Sequence, residues 1–481
     1  MKKDLKRYIP WIVLLLVILS LSVWYVLSKR VTQEQINQYE SKMQEAQQYV
    51  EARQYSVAMD KYYEAVDIIP KKVEAYKGLI EILILKNRDE DAVDVIEKSA
   101  KPLSSQDRST LYNIVGDGYF KDGKYLEAFD LYDAGLVLGV NNMSLELSLA
   151  KVYLKLGDTK QAKEKLQKSG YDGKEKVEAN LILSYIYATE DYGKAEQTVA
   201  LVDSSEYMTI YYEELTEVLE SLDEDNKFNA TKLARIYINS GYPYLAIQLL
   251  QPMKEDISEY LEGMYFLGRA YFDYGDNEKA IEVLDGALTL GGMETDILWT
   301  KARAYFLKND LDNTTKSYDS AIGYAGSEIS LDLVNEYVDL LLENKQALKA
   351  NTLVKDLLVK YPEIAYLNIL AVKTHTVLKE DVKVEFYLSE LEELELEDSE
   401  KIEYLELKIQ FLLEKGESID EYLVELETLD RFNAYHQLYS AKSQIEEGEE
   451  DLAIQSLERA IEYDLEYEIT EEASKLLSSL R

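Results

Sequence analysis

An all-α array of small stacked units, preceded by one apolar helix, is the fold class that the sequence of this 481-residue chain predicts. Three observations carry the prediction. First, thirty-four residues separate Arg235 from Arg269 and again Arg269 from Arg303, and the residues around each repeat with them. A fixed period of this length marks one supersecondary unit used many times, not a single globular core. Second, 6 Pro and 21 Gly leave few helix breakers, while 47% apolar content is ample for a continuous core. Third, Tyr8 to Leu27 is a run of 20 residues without a charge.

Taken in chain order, the apolar run comes first. As a helix it would span roughly 30 Å of hydrocarbon, with Trp11, Trp24 and Tyr25 near its ends as interface anchors. Lys2, Lys3, Lys6 and Arg7 precede it against one Asp4, and Lys29 and Arg30 follow it. The positive excess on the N-terminal side predicts a cytoplasmic tail at 1–7, a signal-anchor helix at 8–28 in the cytoplasmic membrane, and an extracytoplasmic remainder after a linker at 29–38. A cleaved signal peptide is the competing reading. Ser20, Leu21 and Ser22 offer a small-x-small site, although the apolar run continues past them. With no cysteine in the chain, disulfides, thiol catalysis, cysteine zinc sites and a lipid-modified N-terminal cysteine are excluded.

The repeating unit is clearest in Gly268, Tyr271, Gly275, Ala280, Leu284 and Ala287. This spacing predicts a first helix presenting a small residue and an aromatic inward, a turn at Gly275 to Asn277, and a second helix presenting Ala, Leu and Ala. Small residues let the two backbones approach, and Tyr and Leu fill the space beside them. Similar sets occur at Ala46, Tyr49, Ala58, Tyr62 and Ala65; at Gly116, Tyr119, Gly123, Ala128 and Tyr132; and at Ala150, Tyr153, Gly157, Ala162 and Leu166. Others run through Ala234, Tyr237, Gly241, Ala246 and Leu250, and through Ala441, Gly448, Ala453, Leu457 and Ala460. Weaker copies pass through Tyr76 and Ala92, Tyr187 and Ala195, and Val338 and Ala350.

This pattern resembles the tetratricopeptide repeat (TPR), and the resemblance covers nearly all of the chain after residue 38. It implies a right-handed superhelical solenoid of about twelve helix-turn-helix units that binds proteins or peptides. The expected blocks are TPR units at 39–208, an inserted helix and linker at 209–226, central units at 227–362, degenerate acidic helical repeats at 363–430, and a C-terminal unit with a capping helix at 431–481.

Lys plus Arg number 53 against 91 Asp plus Glu, a net charge of −38, which disfavours nucleic-acid binding through phosphates. Acid is densest from Glu385 to Glu427. That stretch reads either as a solvated helix face or as a docking surface for a basic partner or divalent cations. The only histidines, His375 and His436, have no nucleophile motif near them, and no phosphate loop occurs. No catalytic, cofactor or metal residues are therefore assigned, and the chain is expected not to be an enzyme.

In the repeats it resembles, the second, fifth, ninth and twelfth positions of the first helix line a concave groove. Carried over to the central units, these include Arg235, then Tyr265, Arg269 and Phe272, then Trp299, Arg303 and Phe306. Guanidinium groups beside aromatic rings suit an extended peptide, here an acidic or C-terminal segment. The alternative is that the arginines pair with groove acids such as Glu262 and Asp296 while the rings pack between repeats. The function expected is an interaction scaffold anchored by residues 8–28 in the lipid bilayer of a bacterial cell envelope. The alternative is an accessory subunit of an envelope enzyme, secretion or polysaccharide-export complex.

Overall fold

The computed structural model describes residues 31–202, 210–326 and 329–481, all of them helix or connection. Among the described residues twelve helix pairs follow one another, from Gln33–Glu51 with Tyr55–Ile68 to Ala434–Glu447 with Glu450–Tyr463. Among the described residues two helices stand outside the pairs: Ile210–Glu220, and Thr470–Leu480 at the end. The chain divides into two compact units, Met1–Val115 and Gly116–Arg481.

Each pair is held by the close approach that the small residues predict. Within one pair of the second unit a Cβ on Gly268 would lie 2.6 Å from Cγ of Leu284, and between successive pairs of the first unit a Cβ on Gly78 would lie 2.4 Å from the Tyr62 ring. Ala58, Ala128, Ala162, Ala246 and Ala280 are fully buried at the matching position of the second helix. Side chains larger than methyl would hold these backbones apart.

Between the helices of every pair but Gly173–Ala188 with Tyr192–Val199 the chain passes through a left-handed residue. Gly275 (φ 94°) ends Leu261–Tyr274, its N–H bonding to the Phe272 carbonyl while Asp276 N–H returns to Tyr271. This closes the helix and satisfies its last carbonyls. Asp276 then accepts from Lys279 N–H at 3.2 Å and starts Asn277–Leu288, a cap worth about 1 kcal/mol. The same left-handed position recurs at Asn309, Lys345, Lys379, Gly416 and Gly448. It therefore continues through 363–430, where the small-residue pattern fades.

In the second unit, contacts also reach across the unpaired helix Ile210–Glu220, some of them between pairs that are not neighbours in sequence. Tyr237, buried, donates to the Tyr185 carbonyl at 2.9 Å, so Asn226–Asn239 meets Gly173–Ala188 with Ile210–Glu220 lying between them in the chain. Lys155 donates to the Gly241 carbonyl, and Thr159 donates to Gln248 at 3.0 Å. The Lys155 ammonium lies 5.6–5.9 Å from the ring centres of Phe120, Tyr125 and Tyr242. Burial lowers its pKa, with Asp273 acting in the opposite direction.

The expected placement in the cytoplasmic membrane, with the N-terminus in the cytoplasm and the repeats outside, is corrected. Among the described residues no helix is long and apolar enough to cross a membrane. Crossing needs about 20 consecutive apolar residues, whereas the described helices carry charged residues on their outer faces. The segment 8–28, on which the expectation rested, lies outside the described residues.

Candidate functional site

Asn226–Asn239, Leu261–Tyr274 and Glu294–Leu307 place Arg235, Arg269 and Arg303 at one helical phase, with 50%, 38% and 41% of each side chain exposed. Each guanidinium faces a carboxylate. Arg235 lies 3.8 Å from Glu214, and Arg269 lies 3.6 Å from Asp273 one turn along its own helix. Arg303 donates through Nε to both oxygens of Glu336 at 2.9 Å. None of these three acids is Glu262 or Asp296. Glu262 instead accepts from the Tyr260 hydroxyl at 2.8 Å.

The Arg303 cluster is the most densely bonded. Its guanidinium carbon sits 4.2 Å from the Trp299 ring centre, and Trp299 Nε1 donates to Glu336 at 3.0 Å. Tyr318 adds a third donor to the same carboxylate. Burial pushes the Glu336 carboxyl up, but the bonds from Arg303 and Tyr318 outweigh it and hold the group below the usual glutamate range. Asp273 shows the opposite balance: burial raises it in spite of Arg269, Arg303 and Lys155 nearby.

The aromatic residues divide. Tyr265 is buried, and burial raises its phenol although the nearby Arg269 charge opposes the shift. Phe272 packs against the hydrophobic core, Trp299 is half-buried, and Phe306 is 44% exposed. The structure thus brings Trp299 and Arg303 together and sets Tyr265 beside Arg269, while Phe306 stands outward one turn beyond Arg303. Sequence reasoning missed Glu214, Asp273 and Glu336. The signal available for Glu336 was its place 33 residues after Arg303, one repeat along.

Elsewhere, His375 lies 2.6 Å from Glu380 and stacks on Tyr387. Among the described residues no three His, Asp or Glu side chains converge as a metal would require. In the acidic stretch burial raises Glu406, and Glu403, Glu468 and Asp430 add to the shift against the bond from Asn433.

No protein-family model matches the chain. The chain is 22% identical over 288 residues to a TPR repeat-containing protein of Methanocaldococcus jannaschii, a match covering 57% of this chain and 48% of that one. It therefore spans about half the length of this curated relative. Among solved structures, yeast Tom70 aligns over 92% of this chain and 95% of its own at 17% identity, with a TM-score of 0.37. A tetratricopeptide repeat protein from Parabacteroides merdae covers 64% of this chain and 99% of its own at 13% identity, with a TM-score of 0.27. The TPR resemblance is thus supported by the curated relative and by the chain's own helix pairs, and the expectation of a bacterial source draws no support from these matches.

Proposed function

We infer that this protein is an interaction scaffold whose first-helix face in the central repeats takes an extended segment of a partner protein. The observation that supports it is the recurrence of long, partly exposed side chains at one phase of successive helices: Arg235, Arg269 and Arg303, with Phe306 44% exposed beside the last. A row of this kind offers donors and apolar area at the repeat spacing, which an extended chain can follow. The arginines are also partly neutralised by their own acids, so the row provides contact area and hydrogen bonds more than a positive field.

The test is selection of displayed peptides against the full chain, followed by affinity measurements on the selected sequence. Arg235→Ala and Phe306→Ala are each expected to weaken binding roughly tenfold, the scale of an interface anchor, at an unchanged melting temperature. Binding indifferent to both substitutions, or no peptide selected at all, overturns the reading.

A further inference from the structure

Beside Arg235 the helices Ile210–Glu220, Asn226–Asn239 and Leu261–Tyr274 and the residue Met293 enclose a cavity of about 340 Å³. We propose that this cavity seats a basic side chain, lysine or arginine, of the partner segment. The inference rests on the scaffold reading above and adds to it the chemistry of the residue recognised.

The lining argues for a cation. Glu214, Glu217 and Glu262 line the cavity against Arg235 and Lys232. Arg235 already faces Glu214 at 3.8 Å, which leaves Glu217 and Glu262 opposed by Lys232 and the wall net negative. The surrounding chain deepens this field, since its net charge is −38. A second oxygen of Glu214, Oε2, is buried with no hydrogen-bond donor among the described residues. A buried acceptor left without a donor is destabilising, and the terminal torsion of a glutamate is soft enough to turn the oxygen toward an entering cation.

The rest of the wall suits the stem of such a side chain. Phe266 and Met293 are partly buried against the hydrophobic core and line the same cavity with Val218. Lysine and arginine bury their methylene stems on apolar surface while the charged head finds its partners, and the face of an aromatic ring attracts the head as it sheds water. An aspartate or glutamate has too short a stem to use this floor and would meet three carboxylates. Helix Ile210–Glu220, which stands outside the pairs, supplies Glu214, Glu217 and Val218, so this subsite depends on an element that the other repeats lack.

The absence of cysteine makes the test specific. Ser221 is exposed and lines the cavity, so Ser221→Cys carries a single environment-sensitive fluorophore on the full chain. The probes are the peptide acetyl-Gly-Leu-Arg-Leu-Gly-amide and its counterpart with Glu in place of Arg. The arginine peptide is expected to give a saturable emission change. Combining Glu217→Gln with Glu262→Gln should weaken it roughly tenfold, the loss expected for one charge-assisted hydrogen bond, with helicity unchanged. The glutamate peptide should give none.

Saturable binding of the glutamate peptide that Arg235→Gln abolishes overturns the proposal, as does arginine-peptide binding that the double glutamine variant leaves untouched. A second label at Lys308→Cys, near Phe306, separates the two readings. A signal there from a display-selected peptide, with silence at position 221 for the arginine peptide, sinks the basic subsite and leaves the scaffold standing.

Discussion

Arg303 and Glu336 are joined across two successive repeats, the guanidinium bonding both carboxylate oxygens at 2.9 Å while it lies over the Trp299 ring. Trp299 and Tyr318 complete the set of donors on that carboxylate. The pair couples the helix Glu294–Leu307 to Leu331–Glu343. Glu336→Ala strands three donors and should cost about 1–3 kcal/mol in urea unfolding. Arg303→Ala should cost less, because Trp299 and Tyr318 still hold the carboxylate. A double-mutant cycle of Arg303 and Glu336 should return a coupling of at least about 0.5 kcal/mol, and additive losses would show that the two do not act together.

Acid should weaken this joint. The Glu336 carboxyl is held below its ordinary range, so its contribution is present above the unfolded-state value of about 4.3 and is lost as pH falls through the lower folded-state value. In Glu336→Gln the acid limb of a plot of melting temperature against pH should therefore be shallower than in the parent.

Glu406 should behave in the opposite sense. Its carboxyl is raised by burial and by Glu403, Glu468 and Asp430, so the ionised form costs the folded state stability at neutral pH. Relief comes as pH falls through the raised folded-state value and is complete below the unfolded-state value. Glu406→Gln keeps an acceptor for the 2.7 Å bond from Asn433 and should stabilise at pH 7 by a few tenths to about 1 kcal/mol. The gain should vanish below about pH 4, and a constant gain at all pH would mean that packing, not charge, is responsible.

Gly157 and Gly275 separate backbone strain from the long-range contact. Both are left-handed, at φ 81° and 94°. A Cβ on Gly157 would lie 3.0 Å from the Tyr244 ring and from the Tyr274 hydroxyl, whereas one on Gly275 would meet nothing within 4 Å. Gly275→Ala should cost about 1 kcal/mol of strain. Gly157→Ala should cost more, and hydrogen exchange should show residues 143–166 and 243–274 losing protection together. Equal costs, with losses confined to neighbouring helices, would mean that the approach of Gly157 to Tyr244 and Tyr274 contributes no joint stability.

At Gly268 two effects compete. Alanine in a helix interior is favoured over glycine by about 1 kcal/mol, yet its Cβ would fall 2.6 Å from Leu284 Cγ. Overpacking of this kind costs about 1–3 kcal/mol, so Gly268→Ala should be net destabilising or at best neutral. Ala280→Leu, at a fully buried crossing, has no compensating gain and should lose about 1–3 kcal/mol. A rise in unfolding midpoint for either variant would contradict the close helix approach.

What was legible in the sequence is what a single repeat contains. Gly268, Tyr271, Gly275, Ala280 and Leu284 lie within one helix pair, and their spacing alone specifies the crossing, the turn and the second helix, because helix periodicity and turn chemistry are local. Lys345 and Lys379 show where local reading stops: both occupy the left-handed turn position that glycine fills elsewhere, and nothing in a lysine announces it. The partners of the arginines were not legible either. Which acid meets Arg303 depends on how far one pair rotates against the next, a sum of small packing displacements that brings Glu336 within reach. The meeting of Lys155 with Gly241, 86 residues away, is set by rotations accumulated over several pairs. No short segment encodes such an accumulation, so tertiary structure alone decided which repeats touch and which charges are already paired.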